Sequence, residues 1–294
     1  MKILITGSEG QLGEELLQQL VSGNSVLGRI PKRFQRAEVL HPGPETVDIC
    51  DWEALELLMA RECPEIVFHC AALTNVDGCE DTPELTMRTN GESVGELARQ
   101  CESIGSALVY LSSDYVFDGS THYPYRETDR CAPRSVYGQS KLMGEEYALR
   151  LCSRSFVIRT AWLYGFRGNN FVKTILKKAR TQDVIYVVND QFGCPTNAED
   201  LAYHILRIAA TDAFGLYHCT GNGICSWYDF AVEIVRLAGY PCEVRPCTSQ
   251  EYPQKAKRPA YSVLAHDRLR ETVGDKMRDW KEALRDYIGR LGKE

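Results

Sequence analysis

The sequence predicts an α/β fold: a Rossmann-type, doubly wound parallel sheet with a smaller C-terminal substrate domain. Three observations lead there. The chain opens on a strand, a glycine turn and a helix; strands go on alternating with helical patterns; and a tyrosine and a lysine lie four positions apart at the head of a later helix. With 294 residues, 44% of them hydrophobic, the chain can bury one large core or two smaller ones.

Lys2 to Thr6 is a short β-branched apolar run, followed by Gly7-Ser8-Glu9-Gly10-Gln11-Leu12-Gly13 and by Leu12, Leu16, Leu17 and Leu20 at helical spacing. Gly7 permits a tight turn, Gly10 a close approach to a pyrophosphate, and Gly13 close packing of helix on strand. A second strand is expected around Ser25 to Gly28, ending where an adenosine ribose would lie. No acid waits there for a 2′-hydroxyl. Arg29, Lys32, Arg33 and Arg36 follow instead, which suit a 2′-phosphate as readily as they form a solvated basic loop. Asp51 is placed to cap a helix through Leu55, Leu58 and Met59 that ends before Pro64, and Ile66 to Cys70 reads as a buried strand. Thr82 and Pro83 begin a helix running toward Cys101, and Ala107 to Leu111 give the next strand.

In such a sheet ligands lie beyond the carboxyl ends of the strands, so chemistry is expected at Ala71-Ala72-Leu73-Thr74 and at Ser112-Ser113-Asp114. Small side chains at Ala71 and Ala72 let a flat cofactor lie against the backbone, and the Ser113 hydroxyl could hydrogen-bond a substrate carbonyl; a turn serine is the plainer alternative. Tyr137 and Lys141 share one face of the helix from Ser135 to Arg150. A phenol with a pKa of about 10 needs a nearby positive charge to exchange its proton near neutral pH, and Lys141 is placed to supply it.

After a strand at Phe156 to Thr160 the rhythm changes. A helix is expected from Asn169 to Ala179, a strand from Val184 to Val188, and helices at Leu201 to Ile208, from Ser226 to Gly239 and through Trp280, Leu284 and Ile288. Residues 1–165 are therefore assigned to the dinucleotide domain, with later segments returning to it, and 166–294 mainly to the substrate domain. The net charge of −6 disfavours nucleic acid polymers and anionic membranes as partners. Most of the twelve cysteines, which include no Cys-x-x-Cys pair, read as buried thiols, and a chain opening directly on its first strand leaves no room for a signal peptide, so a cytoplasmic location is expected. No set of residues has recognisable metal-ligand spacing.

Taken together, Gly7-x-x-Gly10-x-x-Gly13, Ala71-Ala72, Ser112-Ser113-Asp114 and Tyr137-x-x-x-Lys141 resemble the extended short-chain dehydrogenase/reductases. More narrowly, Ser113 to Gly119, Arg159 to Gly165, Gly168 to Phe171, Asp190 to Thr196 and Arg258-Pro259 resemble the dTDP-4-dehydrorhamnose reductases, over nearly the whole chain. That resemblance implies reduction of a dTDP-sugar 4-keto group by NADPH, with NADH as an alternative. It implies Tyr137, Lys141 and Ser113 as catalytic residues. Cofactor contacts are implied at Gly10, Gln11, Leu12, Asp48, Ile49, Ala72, Leu73, Thr74, Tyr137 and Lys141, beside Gly7, Gly13, Arg29 and Ala71 from the reading above. Sugar-nucleotide contacts are implied at Ser113, Asp114, Trp162, Asn170, Gln191 and Arg258. A nucleotide-sugar dehydratase or epimerase shares the fold and the Tyr-Lys pair, but dehydratases follow the Ser/Thr with Asp-Glu, and here Tyr115 follows Asp114. A regulatory subunit like the β-subunit of methionine adenosyltransferase shares Ser112 to Gly119 but is disfavoured by Ala161-Trp162 and Asp190 to Thr196. The oligomeric state is left open, a homodimer being one arrangement.

Overall fold

The computed structural model describes residues 1–43 and 45–291. Strand β1 (Lys2–Thr6) runs through the glycine turn into helix α1 (Gln11–Ser22), which Gly23 ends in a left-handed conformation. The chain then makes a two-stranded antiparallel hairpin, Asn24 to Arg29, off the main sheet. The strand beside β1 comes later, as β2 (Glu38–Leu40). This corrects the expected strand at Ser25 to Gly28. The true edge strand is three residues long and only partly buried, so it carries no apolar run to mark it.

Helix α2 (Trp52–Glu62) is capped by the Asp51 carboxylate, and β3 (Ile66–His69) is fully buried. The expected helix after Pro83 forms with one interruption. Pro83–Met87 is α-helical, Arg88–Glu92 is a π-turn, and α3 (Ser93–Ile104) continues to Gly105. There follow β4 (Ala107–Ser113), α4 (Val136–Leu151) capped by Ser135, and β5 (Ser155–Thr160). Beyond these lie α5 (Phe171–Ala179), β6 (Val184–Val188), α6 (Ala198–Ala209), β7 (Gly215–His218), α7 (Trp227–Ala238), β8 (Glu243–Cys247) and α8 (Trp280–Leu291).

The central sheet is parallel throughout, in the order β7-β5-β4-β3-β1-β2. Because side chains alternate along a strand, Ile3 and Ile5 join one core with α1 and α6, while Leu4 joins another with α2, α3 and α4. Helices thus cover both faces, as a buried parallel sheet requires. The winding direction reverses between β1 and β3, which opens a crevice at the carboxyl ends of those strands. A third core gathers α5, α7 and α8 on the two-stranded parallel pair β6-β8. Helix α6 and strand β7, late in sequence, belong to the main sheet and its core.

Candidate active site

The crevice is a cleft of about 510 Å³ at that reversal point. Its floor is the glycine turn. Gly7 has φ of 67°, and a Cβ there would lie 2.5 Å from the Ala71 nitrogen; a Cβ at Gly13 would lie 2.2 Å from the Gly7 carbonyl oxygen. The turn is therefore closed to side chains. Gly10 is the N-cap of α1 and offers no side-chain cap, so the first-turn N–H groups face the cleft as an anion cradle.

The opposite wall comes from the ends of β3 and β4 and from the head of α4. Asn90, presented by the π-turn, accepts from Leu73 N at 2.8 Å and donates to Leu73 O at 2.9 Å and to Ser140 Oγ at 3.2 Å. It pins the segment after β3 to the helix that carries Tyr137. Sequence reasoning missed this residue, since nothing local marks a π-turn. A Cβ at Gly138 would lie 2.2 Å from the Tyr115 carbonyl oxygen, so α4 sits with its backbone directly against the turn after Ser113. Tyr115 meets the Tyr137 ring edge-on, with centroids 5.6 Å apart.

Lys141 is 3% exposed, and its ammonium nitrogen lies 4.4 Å from the centroid of the Tyr110 ring. Burial lowers it to about 7, against the raising influence of Glu145 and Cys70. Burial also pushes the Tyr137 phenol well above its usual value, with a hydrogen bond from Ser113 opposing. The sequence reading has Lys141 drawing the phenol down; in the protein by itself burial dominates both groups. Anionic phosphates in the cleft would return the proton to Lys141. Ser113 Oγ donates to Asp114 Oδ1 at 2.8 Å and accepts from Tyr115 N at 3.2 Å.

On the third side Trp162 takes a left-handed backbone, φ 49°, a conformation costing on the order of 1 kcal/mol for a residue with a side chain. Its indole stacks on Trp227, centroids 3.5 Å apart and planes 7° from parallel, and its ring edge rests on Gly193. Phe171 backs Trp227 at 4.4 Å. Trp227 is a second residue missed from sequence; its only local mark is the capping box of Ser226 and Asp229 that starts α7. Asn170 caps α5 through Oδ1, and its Nδ2 donates to Gln11 Oε1 at 3.0 Å, joining the third core's helices to the glycine turn.

The cleft thus brings together Gly7, Gly10, Gln11, Leu12, Gly13, Ala72, Thr74, Ser113, Asp114, Tyr137, Lys141, Trp162 and Asn170. Among the described residues lining it, Lys141 is the one cation and Asp114 the one carboxylic acid. Ala71 lies behind Gly7. Leu73 and Asp48 line a second hollow of about 750 Å³, with Trp52 and Arg88; half-buried Ile49 follows Asp48. Three assigned residues lie elsewhere. Arg29 is exposed in a hollow with Leu20 to Asn24, Gln35 and Arg36, at the far end of α1, because the hairpin that bears it is not the second strand. As α1 runs back from the carboxyl end of β1, that hollow is at the amino ends of the strands. Gln191 is buried and donates to Ser249 Oγ at 2.8 Å. Arg258 donates to Asp77 at 2.9 Å and to the Tyr115 hydroxyl at 3.1 Å, just outside the lining.

The model of the family described as RmlD substrate binding domain matches residues 1–292. The chain belongs to that family. Among solved structures this RmlD-family chain is similar to a dTDP-4-dehydrorhamnose reductase from Clostridium acetobutylicum, with 43% identity, coverage of 99% of this chain and 100% of the other, and a TM-score of 0.94. It is also similar to the Bacillus anthracis dTDP-4-dehydrorhamnose reductase solved in complex with NADP, at 33% identity, 98% and 99% coverage and a TM-score of 0.91. A curated relative, the spore coat polysaccharide biosynthesis protein SpsK of Bacillus subtilis, is 39% identical over 98% of this chain and 96% of its own length. No helix among the described residues of this RmlD-family chain is long and apolar enough to cross a membrane. No group of three or more described His, Cys, Asp or Glu residues could hold a metal ion.

Proposed function

We propose that this chain reduces the 4-keto group of dTDP-4-dehydro-L-rhamnose to give dTDP-L-rhamnose, the last step of dTDP-rhamnose biosynthesis, with NADPH preferred to NADH. The observation that carries the reading is the convergence of Tyr137, Lys141 and Ser113 on one cleft whose floor is the uncapped start of α1. The closed glycine turn and the free first-turn N–H groups fit a dinucleotide pyrophosphate, and Ala72 and Thr74 leave room for it against the backbone. NADPH is supported by the NADP-bound relative. The basic residues from Arg29 to Arg36 no longer support it.

The nicotinamide cofactor supplies the hydride when bound. The chain's own residues orient the sugar and manage the charge that grows on its oxygen. Tyr137 gives that oxygen a proton, Ser113 hydrogen-bonds it, and Lys141, restored to its charged form, lowers the cost of a Tyr137 phenolate. The Trp162–Trp227 stack excludes water from one side. Asn170 belongs to the same wall, whereas Gln191 and Arg258 would reach the nucleotide only after leaving Ser249 and Asp77. All twelve cysteines are unpaired, which favours a reducing compartment and hence the cytoplasm. A homodimer is the assembly to look for by sedimentation.

The deciding experiment supplies freshly prepared dTDP-4-dehydro-L-rhamnose and NADPH and compares cofactor consumed with dTDP-rhamnose formed. One cofactor per product supports the reductase. An epimerase or dehydratase returns the hydride to the same sugar and leaves added NADPH untouched, and a regulatory subunit binds it without turnover. Folded, NADPH-binding protein that consumes none would overturn the reading.

A further inference from the structure

The Ser113 hydroxyl has one proton, and in this structure both Asp114 and the Tyr137 phenol call on it. Ser113 Oγ donates to Asp114 Oδ1 at 2.8 Å while accepting from the Tyr115 backbone N–H at 3.2 Å. Turned this way, the hydroxyl offers the cleft a lone pair, whereas an oxygen gaining negative charge needs a donor. The conflict disappears if Asp114 takes up a proton from solvent, so that the carboxyl group is neutral and Ser113 keeps its own. Asp114 then donates to Ser113 Oγ, the oxygen still accepts from Tyr115 N–H, and the serine proton turns outward. We propose that Asp114 is a positioning residue that works in its protonated form and thereby makes Ser113 a donor to the 4-keto oxygen. The proposal rests on the reductase reading above. No covalent bond changes hands at Ser113 or Asp114, and the proton delivered to product comes from Tyr137.

The surroundings favour a neutral Asp114. Its residue is 1% exposed at the carboxyl end of β4. The groups that bear on it are Ser113 and Tyr115 on its own turn, Tyr137 from α4, Cys194 from the loop after β6, and Ser262 from the segment after β8. None of these is a cation; Lys141 on α4 is the one cation that lines the same cleft. Burial pushes the Asp114 carboxyl up to about 6, with hydrogen bonds from Ser262 and Ser113 opposing, while burial raises Cys194 to about 11 and Tyr115 to about 12. Tyr115, Tyr137 and Cys194 therefore stay neutral while Asp114 titrates. An anionic sugar nucleotide in the cleft shifts Asp114 further toward the protonated form.

The test combines pH profiles of kcat for the parent, Asp114→Asn and Ser113→Ala with infrared difference spectra of protein carrying isotope-labelled aspartate. Parental kcat should fall about tenfold per pH unit above the Asp114 titration. Asp114→Asn, whose amide always has a proton to donate, should stay within about tenfold of the parental optimum and lose that limb. Ser113→Ala should lose both the limb and about 10² in kcat, the usual cost of one oxyanion donor. With oxidised cofactor and dTDP-rhamnose bound at neutral pH, the parent should show a protonated carboxyl band that Asp114→Asn lacks. An Asp114→Asn loss exceeding that of Ser113→Ala, an unchanged limb, or no such band would overturn the proposal. If the parent reduces no keto sugar, the reductase reading fails by itself. The band in the sugar-nucleotide complex still decides the protonation of Asp114, its presence supporting the proposal and its absence overturning it.

Discussion

At the scale of the residue, burial holds the Lys141 ammonium below and the Tyr137 phenol above their ordinary values in the protein by itself. The direction of the shift gives a prediction. Lys141 sits near 7 in the protein by itself, so above that pH it is mostly neutral, and binding an anionic cofactor must raise its pKa and draw in a proton. Calorimetry in buffers of different ionisation enthalpy should therefore find proton uptake on NADPH binding at pH 8, absent in Lys141→Met. Binding of equal proton stoichiometry in both proteins would show that Lys141 stays charged throughout. Tyr137→Phe should keep cofactor affinity and lose about 10² to 10⁴ in turnover, the usual contribution of a general acid; near-normal kcat in that variant would remove the phenol from the mechanism.

At the scale of the element, α4 is tied to the sheet by a buried ion pair. Arg159 on β5 donates through Nε and Nη2 to the two carboxylate oxygens of Glu145, at 2.8 and 2.6 Å, with side chains only 5% and 3% exposed. Removing one partner strands a buried charge and costs roughly 3 to 5 kcal/mol. Glu145→Ala should accordingly lower the Tm by roughly 10 °C, and Arg159→Met in addition should recover part of that loss. Strictly additive losses in the double variant would deny the coupling. Elements with their own local signals were readable in the sequence: Asp51, Ser135 and Ser226 each mark a helix start that the structure caps through that side chain. β2 was not readable, because three partly exposed residues at a sheet edge have no period to detect, and the more apolar Val26-Leu27 nearby drew the assignment.

At the scale of the whole molecule, the site is assembled from residues 7 to 227, and what the sequence revealed of it follows from that span. The glycine turn and the Tyr-Lys pair are local patterns whose spacing carries their meaning. Trp227 against Trp162 and Asn90 against Leu73 are contacts between distant segments, visible only after the sheet has brought them together. Arg29 was misplaced for the converse reason, since its setting depended on which strand pairs with β1. Asn170 and Gln11 join the third core to the glycine turn by a single hydrogen bond, so Asn170→Ala should loosen that junction as well as remove a helix cap worth about 1 kcal/mol. The expected result is faster amide exchange in both α5 and the glycine turn; exchange confined to α5 would reduce Asn170 to a cap.

The backbone contact between α4 and the turn after Ser113 also bears on how this protein can vary. Of the three positions between Tyr137 and Lys141, only Gln139 faces solvent. Position 138 is closed by the Tyr115 carbonyl, and Ser140 Oγ donates to Tyr137 O at 2.7 Å while receiving Asn90. The spacer is thus nearly as constrained as the residues it separates. A library randomised at 138, 139 and 140 and selected for keto-sugar reduction should return glycine at the first, a small hydroxyl at the third and broad diversity at the second. Bulky survivors at 138 would mean that the helix can slide without losing register. Read as text, the motif has five letters of which four are spelled by the fold, which leaves mutation one place to wander.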